Sequence, residues 1–104
     1  MGYVYLIKDI YSNTYKIGVT KGDPMKRLKK LQTGNACKLQ FSSIYECEFP
    51  YRLENMLHNH FAQYQELNEW YNLPDITEYN KKCIEFDSII ESLKDNYHFK
   101  KNLK

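Results

Sequence analysis

Residues 2–8 run Gly-Tyr-Val-Tyr-Leu-Ile-Lys, the β-branched and aromatic enrichment of a strand. A polar stretch follows, with Ser12-Asn13 as a turn signal, and residues 15–19 read as a second strand ended by Gly18. So short a connection predicts an antiparallel hairpin. Asp23-Pro24 marks a helix start, with Asp as N-cap and Pro in the first helical position. Met25, Leu28 and Leu31 (or Gln32) recur at helical spacing, with Lys26, Arg27, Lys29 and Lys30 on the remaining surface, and Thr33-Gly34-Asn35 ends the helix. Residues 39–48 alternate loosely and close on a third strand, Ile44-Tyr45-Glu46-Cys47-Glu48. Pro50 opens a second helix through about Ala62, with Leu53, Met56, Leu57 and Phe61 facing inward. Residues 64–74 read as a loop holding Glu69-Trp70-Tyr71, with Trp70 as a core anchor. A third helix is expected over about residues 77–95, with Ile84, Ile89 and Leu93 inward.

Strand, strand, helix, strand, helix, helix predicts an α+β domain: a small, mostly antiparallel three-stranded sheet flanked by helices. With 104 residues there is room for one domain and one modest core, taken as residues 1–95, followed by a basic tail over 96–104. No repeat, linker or low-complexity segment interrupts it.

The net charge of +2 hides a split. Residues 1–40 carry eight Lys/Arg against two Asp/Glu, whereas residues 41–95 carry four against eleven. A basic half beside an acidic one directs the search for a polyanionic partner to the first half. Three cysteines, Cys37, Cys47 and Cys83, are odd in number and lack C-x-x-C spacing, which argues against a disulfide framework and against structural zinc. Free thiols, no apolar run of about 18 residues and no signal-like leader make the cytoplasm the expected location, with no membrane partner. Tyrosine is abundant, 10 of 104 residues; its amphipathic ring suits half-buried and binding surfaces.

Four local patterns, in order and at the right spacing, resemble the GIY-YIG nuclease family. Tyr3-Val4-Tyr5 resembles the opening element, and Tyr15-Lys16-Ile17-Gly18 the second. Arg27 follows Gly18 by nine residues, and Glu54-Asn55-Met56-Leu57-His58 is similar to the E-x-x-L-H stretch of a phage-associated subclass. That subclass also shows a Leu-Gln-Thr-Gly segment like residues 31–34 and a closing element like Glu69-Trp70-Tyr71-Asn72-Leu73. The likeness covers residues 2–73 and departs at two points. Tyr3 stands where the first motif has glycine, and alignment on Gly18 puts Lys16, not Tyr15, on the second tyrosine. Asn68 and Asn72 both compete for the asparagine some members place near the end of the site.

The resemblance implies a metal-dependent endonuclease acting on DNA, of phage or mobile-element origin and hence acting inside a host cell. Tyr5 is the implied general base, and the departure at Lys16 leaves the division of labour among Tyr5, Tyr15 and Lys16 open. Arg27 and Lys16 supply positive charge to the phosphate, Arg in a fork that matches two oxygens. Glu54 holds Mg²⁺ or Mn²⁺, hard cations that accept carboxylate oxygen and keep several waters. A free tyrosine ionises near pH ~10, so Tyr5 needs help from Lys16, Arg27 or the metal. His58, four residues after Glu54, shares its helix face and reads as a second ligand, a proton shuttle or a core histidine. Lys26, Lys29 and Lys30 are the expected DNA-backbone contacts.

Singly, each residue has a plain alternative: Tyr5 a strand tyrosine at a sheet edge, Arg27 a solvated helix residue, Glu54 a carboxylate complementing a helix dipole. His60 and His98 read as surface residues and the cysteines as structural. Two rival functions stand beside the nuclease: a catalytically silent nucleic-acid-binding module of the same fold, and a small interaction protein with a fortuitous hairpin. So short a chain would draw sequence preference from its own loops, from a homodimer or from a recruiting protein.

Overall fold

The computed structural model describes residues 1–34, 38–66 and 69–93. Asn35, Cys37, Asn68, His98, the last two residues of the expected third helix and the basic tail fall outside them. The chain runs β1 (Gly2–Asp9), β2 (Thr14–Thr20), α1 (Pro24–Gln32), β3 (Leu39–Cys47), α2 (Pro50–His60), a 3₁₀ turn (Ala62–Tyr64) and α3 (Ile76–Leu93). The sheet has the order β2-β1-β3, and both pairings are antiparallel. The expected α+β architecture is therefore present, with β1 central.

The hairpin closes on Asp9. Its carboxylate accepts the Tyr11 N–H at 3.0 Å and the Ser12 hydroxyl at 2.7 Å, and Asn13 adopts φ 60°. Asn tolerates that left-handed conformation better than most residues. α1 starts as the sequence predicts: Asp23 Oδ1 accepts the Met25 N–H at 3.0 Å, and Gly34, φ 73°, follows the Thr33 C-cap.

Strand alternation divides the sheet into two faces. Val4, Leu6, Tyr15, Ile17 and Cys47 enter the main core, where Leu53, Leu57 and Phe61 of the α2 region meet Tyr79, Cys83 and Ile90 of α3. Tyr5 and Ile7 alternate onto the other face; both are buried, and the Tyr5 ring meets Phe41 edge-on, centroids 6.0 Å apart. α1 lies against β3 and buries none of its residues. On it Met25 is 53% exposed, while Leu28, Leu31 and Gln32 are half-buried.

Two inward-facing assignments need correction. The buried stripe of α3 is Tyr79, Cys83 and Ile90; Ile84, Ile89 and Leu93 are exposed instead. In the closing segment Trp70 is half-buried, and the core anchors are its neighbours Tyr71 and Leu73. Cys47 and Cys83 are buried free thiols, pushed up to about 11 chiefly by burial.

Candidate active site

Tyr5 faces Gly18 across the β1–β2 ladder. A Cβ at Gly18 would fall within 3.0 Å of the Tyr5 ring and hydroxyl. The missing side chain is what seats the ring, so the two motifs carrying Tyr5 and Gly18 form one steric unit. The Tyr5 hydroxyl accepts from Arg27 Nε at 3.4 Å, across 22 residues of sequence. Arg27 itself is exposed, and its contact with Tyr5 raises the guanidinium pKa further above its ordinary value.

Lys16 lies beside Gly18's position on the edge strand. Its ammonium contacts Glu69 Oε2 at 2.6 Å, with the two side chains 25% and 69% exposed. Hydrogen bonding and charge from Lys16 hold the Glu69 carboxyl below its usual range. From α2, Glu54 and His58 share one helix face, with Glu54 Oε2 3.7 Å from His58 Nε2. His58 Nδ1 is hydrogen-bonded to the hydroxyl of Tyr71. Burial first, and the Glu54 charge second, raise the pKa of that hydroxyl.

These groups surround one open cleft of about 280 Å³, lined by Tyr5, Lys16, Arg27, Glu54 and His58 together with Gln65 and Glu69. Five sequence-predicted residues from β1, β2, α1 and α2 thus meet in one place. Tyr15, expected to share the site, does not line it. Its ring is in the main core at 7% exposure, and its main chain pairs with Tyr71 through hydrogen bonds of 2.9 and 2.7 Å. The reason is the two-residue strand period: Lys16 and Gly18 take the site face, so Tyr15 and Ile17 take the core face. Lys26, Lys29 and Lys30 are all exposed on α1, around Arg27. His60 is exposed, as expected. Asn72 is exposed and is not a lining residue.

The cleft also holds residues to which the sequence reading gave no role there: Gln65, Glu69 and, one step behind His58, Tyr71. All three come from the segment after α2, which has no periodicity to place it. Its docking onto β2 through Tyr15 and Tyr71 is a long-range pairing with no local signature.

The donor set bears on the metal. Among the described residues no three His, Cys, Asp or Glu side chains gather into a metal-holding group. A closed zinc-type centre does not fit such a set. A magnesium-type ion does, because it binds through one or two carboxylates and leaves its other positions to water and phosphate. Glu54, with a partly exposed side chain at the cleft wall, meets that requirement.

Residues 2–93 match the T5orf172 domain, a phage-associated domain of the nuclease-like, GIY-YIG-related kind. Comparison with curated proteins and with solved structures returns no match. A domain of this kind points to a nuclease-like or DNA-binding role. Among the described residues no helix is long and apolar enough to cross a membrane.

Proposed function

The chain belongs to the T5orf172 domain family, and from that premise we propose that it is a metal-dependent endonuclease hydrolysing DNA phosphodiester bonds in the cleft between β1, β2, α1 and α2. The observation that carries the reading is convergence. Tyr5, Lys16, Arg27, Glu54 and His58 span 54 positions of sequence yet line one cleft, with Arg27 donating to Tyr5 and Glu54 beside His58.

The chemistry follows from the residues. The scissile phosphate enters between Arg27 and Lys16, whose positive charges offset the charge that builds on its oxygens as the attacking water bonds to phosphorus. Tyr5, at the floor of the cleft, first gives its hydroxyl proton to solvent; as the phenolate it takes the proton of the attacking water and returns to the phenol. Arg27, donating to the Tyr5 oxygen, balances negative charge on Tyr5 and on the phosphate from one position. Glu54 would hold a divalent ion, Mg²⁺ or Mn²⁺, which when bound would offset the charge that develops on the leaving 3′ oxygen. Lys26, Lys29 and Lys30 neutralise neighbouring phosphates and fix the duplex without reading its sequence. Homodimerisation or a recruiting protein would supply target choice.

One observation favours the alternative of a silent DNA-binding module: Lys16 is already paired with Glu69, so its charge is not standing free for a phosphate. Plasmid cleavage separates the two readings. Supercoiled DNA with Mg²⁺ or Mn²⁺ should be nicked or linearised, and the product should vanish with EDTA and in Glu54→Ala. Turnover in Arg27→Ala should fall about 10²–10³-fold, the usual loss for one preorganised transition-state donor, with binding largely kept. Unaltered cleavage by Glu54→Ala would remove that carboxylate from the mechanism. Binding without cleavage on every DNA tried would favour the silent module.

A further inference from the structure

Tyr71 sits where core, sheet and cleft meet. Its ring is 1% exposed, and its main chain exchanges hydrogen bonds with Tyr15 at 2.9 and 2.7 Å. The ring is held by packing and the backbone by β2, so the hydroxyl has a fixed address. That address is Nδ1 of His58. The other ring nitrogen, Nε2, faces Glu54 Oε2 at 3.7 Å, an electrostatic contact rather than a full hydrogen bond. Tyr71, His58 and Glu54 therefore form a line from the core to the cleft.

A neutral imidazole has one donor and one acceptor nitrogen, and the hydrogen bond at one sets the role of the other. A carboxylate favours an N–H facing it and is repelled by a lone pair. Burial and the Glu54 charge both favour the protonated Tyr71 hydroxyl, so it retains a proton to donate. We propose that Tyr71 is a positioning residue: its hydroxyl donates to Nδ1, holds neutral His58 with its proton on Nε2, and aims that proton at Glu54 Oε2. His58 thereby steadies the carboxylate that would hold the ion. It supports the ligand rather than acting as one, a second tier that metal sites commonly use. The inference rests on the reading of Glu54 as the metal-holding carboxylate, but its first test does not.

The test compares wild type with Tyr71→Phe, which deletes the hydroxyl and keeps the buried ring. Nitrogen NMR of isotope-labelled, metal-free protein, above the ordinary imidazole pKa of about 6.5, reports which ring nitrogen carries the proton. His58→Gln assigns the signals, and a denaturation curve checks that Tyr71→Phe is folded. Wild-type His58 should be protonated on Nε2 as a single tautomer. In Tyr71→Phe its two nitrogen shifts should move toward the averaged values of a mixed population, and Mn²⁺ affinity should drop about tenfold. A wild-type proton on Nδ1, a Tyr71→Phe spectrum like wild type, or Mn²⁺ affinity within about twofold would each overturn the proposal. The spectrum requires no cleavage. The expected tautomer in a protein that cuts no DNA would count against the nuclease alone, and the wrong tautomer in an active nuclease against the positioning role alone.

Discussion

α1 and α2 both deliver charge to the cleft, by opposite means. α2 reaches it from inside the fold: Pro50, Leu53 and Leu57 are buried, and the helix packs on β1, β2 and α3. Glu54 and His58 leave the helix beside those anchors, so they inherit the rigidity of the core. α1 is laid on from outside. None of its nine residues is buried; it rests on β3, with the Leu39 N–H donated to Gln32 Oε1 and the Arg27–Tyr5 hydrogen bond as further ties. Few buried contacts mean that local opening costs less than global unfolding. The carboxylate therefore arrives at a fixed position, while the cations of α1 are free to adjust. That division suits the proposed function, in which Glu54 would be a metal ligand, tolerating little displacement, and the lysines would steer a phosphate backbone, tolerating much.

The largest effect should come from cutting the anchor under each helix. Leu57→Ala, at a fully buried site, should cost about 2–5 kcal/mol. Leu28→Ala, half-buried on α1, should cost less than about 1 kcal/mol. Urea denaturation of both variants measures the gap. Equal losses would show that α1 is as deeply embedded as α2 and would remove the basis of the contrast.

Next in size is Gly18→Ala, which tests the one place where the α1 side of the site is rigid. The added methyl must displace the Tyr5 ring and with it the acceptor of Arg27. Overpacking of this kind costs about 1–3 kcal/mol. Turnover should fall to the level of Arg27→Ala, while Mn²⁺ binding at Glu54 stays near wild type because α2 is untouched. A parallel loss of metal binding would mean that the two halves of the site are not independent.

The same contrast explains what could be read in advance. α2's inward face was legible because Leu53, Leu57 and Phe61 are aliphatic or aromatic at strict helical spacing and all are buried. α3 misled, because the eye follows isoleucine and leucine, whereas the core takes Tyr79 and Cys83, residues that bury as readily. α1 has an apolar stripe on paper, but Met25 stands in solvent. The cap Asp23 was readable to the residue, and the stop fell within the expected Thr33-Gly34-Asn35 signal, with Thr33 as C-cap and Gly34 after it; both depend on local backbone chemistry. Of the site, Lys16 and Gly18 against Tyr15 and Ile17 could have been separated by strand alternation alone. Tyr71 could not, since its partners Tyr15 and His58 lie 56 and 13 positions away in sequence. Only tertiary pairing brings them together.

A smaller effect should follow from Lys26, Lys29 and Lys30, all changed to Gln. If these exposed residues each meet one phosphate, removing them should flatten the slope of log affinity against log salt by about 2 to 3. Affinity at low salt should weaken roughly tenfold or more, and the turnover of bound DNA should be nearly unchanged. A lost rate with an unchanged slope would place the lysines in the chemistry rather than in steering.

The smallest effect concerns the contact that spans the contrast, Lys16 with Glu69. The cation is on β2, and the anion is on the segment that closes the cleft after α2. If Lys16 meets DNA as proposed, Glu69 competes for it, so Glu69→Gln should strengthen binding about threefold at low salt, and salt should erase the difference. The fold should lose only about 0.5 kcal/mol, as expected of an exposed pair. The pH dependence has a definite sign. Because Lys16 depresses the folded-state pKa of Glu69 below 4.5, the pair stabilises the protein above that value, and its contribution fades as pH falls through the depressed one. Wild-type stability measured by urea through that acid range should therefore fall more steeply than that of Glu69→Gln. A Glu69→Gln variant that binds DNA no better than wild type would mean that phosphate never takes Glu69's place on Lys16. The charge beside Gly18 would then be structural, and Arg27 would be left as the cation that the cleft offers to its substrate.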